Sequence, residues 1–100
     1  MKENDDEKLE FEWDPEKAAK NLKKHGVSFE EASTIFDDPQ FISFLDEEHS
    51  TAEERHITIG ISDKIRLLMA AHTERSRNLI RLISARKATK NEEKFYNEAG

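Results

Sequence analysis

Apolar residues fall along the chain in two rhythms, a period of two and a period near 3.6, and their succession marks out the elements. Leu9-Glu10-Phe11-Glu12-Trp13 alternates, which predicts a short amphipathic strand. Asp14-Pro15 then opens a helix, with Asp14 as N-cap and Pro15 in the first helical position. Ala18, Ala19 and Leu22 mark its inner face, and Gly26 ends it as a left-handed residue. A second helix starts at once. Ser28 and Glu31 form a capping box, Val27 serves as its staple, and Phe29, Ala32 and Phe36 point inward. Asp37-Asp38-Pro39 stops it. Gln40 to Leu45 is strand-like, Asp46 to Glu54 is a charged loop, and Arg55 to Ile61 alternates cleanly.

Ser62-Asp63-Lys64 reads as a tight turn into a strand, Ile65 to Thr73, apolar enough on both faces to be central. Glu74 to Asn78 turns the chain back into a strand from Leu79 towards Ala88. Thr89 and Glu92 repeat the capping-box pattern, and the last helix is expected to bury Phe95 with Tyr96 beside it. The predicted class is α+β: an antiparallel sheet with its helices, two N-terminal and one C-terminal, against one face. Residues 1–8 are expected to form a disordered acidic tail, and residues 9–100 a single domain.

Charge changes this picture more than composition does. Of the 100 residues, 35% are apolar and 38% charged, so the core is small and the surface heavily ionised. No cysteine is present, which excludes disulfides and thiolate sites and fits a reducing compartment. No apolar run approaches the ~20 residues of a membrane span, and the acidic start is no signal peptide; a cytoplasmic protein is expected. The net charge of −6 is unevenly spread. Residues 1–63 hold 7 basic and 18 acidic residues, a net −11. Residues 64–90 hold 8 basic residues against Glu74 alone, a net +7. Such asymmetry points to a basic face for an anionic partner.

At the centre of the basic segment, Ile80-Arg81-Leu82-Ile83-Ser84-Ala85-Arg86-Lys87 runs from strand to turn. By strict alternation Arg81 shares a face with Leu79, Ile83 and Ala85, opposite Ile80, Leu82 and Ser84. Arg81, Arg86, Lys87 and Lys90 could receive phosphate, or the arginines could be paired with structural carboxylates, or blunt a sheet edge. His25, His49, His56 and His72 show no metal-ligand spacing, and no metal or other cofactor is expected. A glycine-rich phosphate loop and a serine-nucleophile elbow are both missing. What remains is Arg55, Arg81, Arg86, Lys87, His72 and Tyr96. That set suits metal-free RNA cleavage, in which the ribose 2′-hydroxyl attacks its own phosphate. Arginine stabilises charge on the phosphate but does not normally move protons, so another side chain has to.

Several blocks carry a family likeness. Phe11-Glu12-Trp13-Asp14-Pro15-Glu16-Lys17-Ala18 comes first, followed by Asn21 and Lys24-His25-Gly26-Val27-Ser28-Phe29-Glu30-Glu31-Ala32. Phe36-Asp37-Asp38-Pro39, Arg55, His72-Thr73-Glu74-Arg75, Ile80 to Thr89, Glu92 and Tyr96 continue it in order. The chain resembles the BrnT family, the toxin half of a bacterial type II toxin–antitoxin pair. The resemblance implies a RelE-like fold and an endoribonuclease that arrests growth by cutting RNA. It also implies a BrnA-type antitoxin with a ribbon–helix–helix part, the complex repressing its own promoter; DNA would be met only through the antitoxin. On this basis Arg81, Arg86 and Arg55 are the expected phosphate-stabilising groups, with Tyr96 and His72 for proton transfer or base contact. Lys87, Lys90, Arg75, Arg77, Lys24 and His25 are the expected RNA contacts. Trp13 reads as a core residue, and Lys24-His25-Gly26 also reads as an ordinary helix end. One departure supports an alternative function. Lys90-Asn91-Glu92-Glu93-Lys94 is less basic than the arginine-rich family helix. A non-catalytic module acting as antitoxin partner and co-repressor would need no more.

Overall fold

The computed structural model describes residues 8–99. The acidic stretch at 1–7 and Gly100 lie outside them. The order is β1 (Glu10–Glu12), α1 (Pro15–His25), α2 (Phe29–Ser33), a 3-10 turn (Thr34–Asp37), β2 (Ile42–Leu45), a second 3-10 turn (Glu47–His49), β3 (His56–Ile61), β4 (Leu67–Ser76), β5 (Leu79–Lys87) and α3 (Lys90–Ala99).

Local chemistry sets the helix ends as the sequence leads one to expect. Asp14 Oδ1 accepts the Glu16 N–H at 2.9 Å, and Gly26, at φ 71°, donates its N–H to Leu22 O at 2.8 Å. Ser28 Oγ accepts the Glu31 N–H at 3.0 Å. At the other end of the chain Thr89 Oγ1 accepts the Glu92 N–H at 3.1 Å, while Glu92 Oε1 accepts the Thr89 N–H at 2.9 Å.

The sheet runs β1-β5-β4-β3-β2. Strands β2 to β5 form an antiparallel meander, but β1 lies parallel to β5, so the sheet is mixed and not wholly antiparallel as expected. The two helices that follow β1 carry the chain away before it can hairpin back. Its register puts Phe11 opposite Ile80, where Phe11 joins the main core. That core lies between one face of the sheet and α1 and α2: Val27, Phe29, Ala32 and Ile35 meet Leu68, Ala70, Ile80, Leu82 and Ala85. Trp13 packs edge-on against Phe29 at 5.8 Å, a core position as its sequence context suggests. Gly60 lies where the 3-10 turn crosses the sheet; a Cβ there would come within 2.9 Å of Ile35 O.

Three further expectations need correcting. The C-terminal helix does not share a face with the others. It crosses the opposite face, where Tyr96 packs with Ile59 and Met69. On that helix Tyr96 is buried and Phe95 is 51% exposed, the reverse of the expected order, because the Tyr96 hydroxyl reaches inward to Asp38 Oδ2. The third strand of the meander begins at Leu67, not Ile65. Ile65 takes a left-handed φ of 60° in the β3–β4 turn, where its N–H bonds to Ser62 O.

Two polar devices tie the layers together. Glu31, buried, accepts a bidentate pair from Arg66 (Nε–Oε2 2.9 Å, with Nη2 on Oε1) and a 2.7 Å hydrogen bond from Ser62. The Arg66 hydrogen bonds outweigh burial and hold the Glu31 carboxyl below the usual range. Beyond β1, β5 has a free edge, and Asn21 of α1 covers it. Its side chain donates to Ala85 O and Val27 O, both at 2.9 Å, and accepts the Ala85 N–H at 3.1 Å. This is strand pairing by a side chain, and it protects an edge that would otherwise invite another strand.

Candidate active site

The face of the sheet away from α1 and α2 is only partly covered by α3. What is left is a groove of about 390 Å³ floored by Ile57, Met69, Ala71 and Ser84. Phe44 and Glu92 stand on its sides with Asp46, Glu48, His49, Arg55 and Arg86.

A β-bulge decides which residues of β5 face it. Pairing of β5 with β4 slips between Ala71 and His72: Ser84 sits opposite Ala71 and Leu82 opposite His72, leaving Ile83 as the extra residue. Alternation therefore reverses at Ile83. Ile80, Leu82 and Ala85 all enter the main core, whereas Arg81, Ser84 and Arg86 turn to the groove side. Without the bulge Arg81 and Arg86 would point to opposite faces. Even so, they are not neighbours. Five residues along a strand span about 15 Å, and each arginine has its own carboxylate. Arg86 makes a bidentate pair with Glu92 (Nη1–Oε1 2.8 Å, Nη2–Oε2 3.0 Å). Arg81 Nη1 donates to Glu12 Oε2 at 3.0 Å.

The Arg86–Glu92 pair is strong by construction. Glu92 is already fixed by the α3 capping box, so it presents both oxygens to the guanidinium. The hydrogen bonds with Arg86 hold the Glu92 carboxyl low against the effect of burial and raise the Arg86 guanidinium further.

Arg55 differs from these arginines. Among the described residues Arg66, Arg75, Arg81 and Arg86 each meet a carboxylate, and none lies within ion-pair distance of Arg55. Its Nε is buried without a hydrogen-bond partner, as is the Thr73 hydroxyl. Its backbone is held by a folded loop. Asp46 N–H donates to Arg55 O at 2.7 Å, Arg55 N–H donates to Ser50 Oγ at 2.9 Å, and Ser50 Oγ donates to Asp46 O at 2.7 Å. The same loop carries His49, whose Nδ1 bonds to Asp46 Oδ2 at 2.9 Å.

The other expected site residues are dispersed. His72 is buried on the core side of the sheet. Its Nε2 hydrogen-bonds the Thr58 hydroxyl at 2.7 Å, its ring stacks on His56 at 5.9 Å, and Phe36 meets it edge-on at 5.1 Å. Burial, with a smaller effect from His56, lowers its pKa to about 4. Tyr96 lies under α3 with its hydroxyl on Asp38, and burial together with that carboxylate pushes it up to about 12. Burial of Asp38 opposes its ionisation. Hydrogen bonds from Tyr96, Gln40 N–H and Ile61 N–H outweigh that and leave the carboxyl low. Arg75 bonds Glu53 at 2.8 Å and lies 3.7 Å from Glu12. Arg77 is exposed in the β4–β5 turn. Lys87 ends β5 exposed, and Lys90 begins α3. Lys24 and His25 line a shallow depression with Lys17, Lys20, Ile83 and Ser84, around the free edge of β5 from the groove.

Of the expected set, then, the structure gathers Arg55 and Arg86 in one groove. It adds Asp46, Glu48, His49, Glu92 and Phe44, which the sequence reading placed in a charged loop, a helix cap and a strand. The only advance signal for His49 was an acid three residues before it. Among the described residues no three His, Cys, Asp or Glu side chains come together as a metal-binding group. No helix among them is long and apolar enough to cross a membrane.

Comparison with known proteins gives a family and a fold. The family described as the ribonuclease toxin BrnT of type II toxin–antitoxin systems matches residues 13–92. The crystal structure of the Brucella abortus ribonuclease toxin BrnT superposes with a TM-score of 0.63 at 20% identity, covering 82% of this chain and 99% of that one. Comparison with curated proteins finds no match. A family match over so much of the chain, on a fold of the same α+β kind, fixes its place: this chain belongs to the BrnT family of ribonuclease toxins of type II toxin–antitoxin systems.

Proposed function

We propose that the chain is a cytoplasmic, metal-independent endoribonuclease whose active site is the groove between β3, β5 and α3. The observation that carries this is Arg55: a half-buried arginine with no carboxylate at ion-pair distance among the described residues, facing a groove that already holds a second arginine. Arg55 takes one non-bridging phosphate oxygen. Arg86, kept in place by Glu92, takes another and steadies the charge that grows on the phosphorane-like transition state. The 2′-hydroxyl of the substrate is the nucleophile, so no metal-bound water is required. Phe44 and Phe95, ring centroids 5.7 Å apart and both substantially exposed, offer faces on which a base can stack beside the phosphate. Lys17, Lys20 and Lys24, with His25, extend the cationic path around the β5 edge. Arg75, Arg77, Lys87 and Lys90 are peripheral to it.

A BrnA-type ribbon–helix–helix antitoxin neutralises the enzyme by covering the groove and brings the pair to promoter DNA. Four cations of the basic segment are paired with glutamates from outside it, which favours the groove over the whole segment as the antitoxin's target. The second reading is a non-catalytic partner and co-repressor. Its support is that Arg81 and Arg86 both carry carboxylates and so have structural duties of their own.

Purified protein incubated with cellular RNA in excess chelator tests the proposal. Cleavage is expected, with Arg55→Ala reducing it on the order of 100-fold while leaving the circular dichroism spectrum unchanged. Induction without antitoxin should stop growth, and Arg55→Ala should restore it. RNA left intact at every protein concentration, with growth unaffected, would favour the co-repressor.

A further inference from the structure

The groove as described can hold and stabilise a phosphate, but its arginines do not move protons. We infer that His49 is the general base of the groove and that Asp46 is its positioning residue; the inference rests on the proposed ribonuclease activity. Three observations meet here. First, Asp46 Oδ2 accepts a hydrogen bond from His49 Nδ1 at 2.9 Å. In the neutral imidazole this places the proton on Nδ1 and leaves Nε2 with a lone pair, the arrangement a base needs. Second, His49 lines the same groove as Arg55 and Arg86, and its side chain is 59% exposed, so substrate can reach it. Third, the position is built. Asp46 is 17% exposed, and its backbone N–H and carbonyl are tied to Arg55 and Ser50. The loop that fixes the phosphate-binding arginine therefore fixes the histidine as well. An incidental surface pair would need none of this.

His49 Nε2 takes the proton of the 2′-hydroxyl, and the 2′-oxygen forms a bond to phosphorus. The bond from phosphorus to the 5′-oxygen breaks, and that oxygen takes a proton from water. The products are a 2′,3′-cyclic phosphate and a 5′-hydroxyl. The imidazolium then returns its proton to solvent. The charged groups that face His49 in the groove are Asp46, Glu48, Arg55, Arg86 and Glu92.

Histidine changes charge close to neutral pH, so its role is readable in a pH–rate profile. Cleavage of a short oligoribonucleotide should be followed from pH 5 to 9 with the wild type, His49→Gln, His49→Ala, Asp46→Asn and Arg55→Ala. His49→Gln should lose kcat by about 100-fold, keep KM within about threefold of the wild type, and lack the acidic limb of the profile. Imidazole in the buffer should restore part of the rate of His49→Ala. Asp46→Asn should lower kcat by roughly 10-fold with little change in KM. If His49→Gln cleaves within threefold of the wild type with the acidic limb intact, while Arg55→Ala is impaired, the dyad is refuted and the groove stands. A wild-type protein inert at every pH would overturn the groove and the dyad together.

Discussion

His72 shows how a residue can sit in a recognisable motif and serve the core. His72-Thr73-Glu74-Arg75 offered a proton-transfer candidate, but alternation along β4 turns His72 to the same face as Leu68 and Ala70. There it is buried, stacked and held neutral. Its pKa of about 4 lies below the ordinary 6.5, so between these values the unfolded chain binds more protons than the folded one. Stability is then complete above pH 6.5 and falls as the pH drops towards 4, by about 3 kcal/mol over the window. Urea midpoints measured across that range should show this slope, and His72→Gln should flatten it. Glu31, with its depressed carboxyl, adds a further loss only at lower pH, below its unfolded value of 4.5. Ile65 is the converse case, an exposed β-branched residue in a left-handed turn. Ile65→Asn should raise the unfolding free energy by about 1 kcal/mol, since asparagine tolerates that conformation; thermal melting would record it as a higher midpoint. Nothing in the apolar pattern marks Ile65 as strained, because an isoleucine after a turn looks like the first residue of a strand.

At the scale of elements, what could be read from the sequence was what local chemistry decides. Asp14-Pro15, Ser28 with Glu31 and Thr89 with Glu92 set the helix starts, and each N-cap side chain has its expected hydrogen bond, although only Thr89 and Glu92 close a reciprocal box, the Glu31 carboxylate going to Arg66 and Ser62 instead. The bulge at Ile83 could not be read, because it is a mismatch between two strands and neither strand alone contains it. It nevertheless determines that Arg86 faces the groove rather than the core. The positions of Phe95 and Tyr96 were hidden for a related reason: two adjacent aromatics lie about 100° apart on a helix, and only the distant Asp38 selects Tyr96. Asn21 is a third long-range feature, paired with Ala85 across most of the chain. Asn21→Ala leaves the buried Ala85 peptide groups without partners and should cost about 2–3 kcal/mol. It also uncovers an edge. Chemical denaturation should show the loss, and light scattering should show increased association.

Across the whole molecule the sequence asymmetry of charge folds into something more local. The +7 of residues 64–90 suggested a broad basic face. In the structure Arg66 pairs with Glu31, Arg75 with Glu53, Arg81 with Glu12 and Arg86 with Glu92, each carboxylate lying outside that segment. Cations outside these pairs include Arg55 in the groove, Lys17, Lys20 and Lys24 along α1, and the exposed Lys64, Lys87 and Lys90. The fold class and the arginines were therefore visible in the linear chain, whereas the site was not, since its loop, strand and helix meet only through tertiary packing. RNA affinity should accordingly be most sensitive to Arg55 and less so to Arg75 or Lys87. Antitoxin should compete with a non-cleavable oligonucleotide for the same groove. The most direct test of the account is cleavage of RNA in excess chelator by the wild type and by Arg55→Ala, side by side. Cutting by the wild type is expected, with a loss on the order of 100-fold in the variant and its fold intact. Equal cleavage by the two proteins, or none by either, would contradict it.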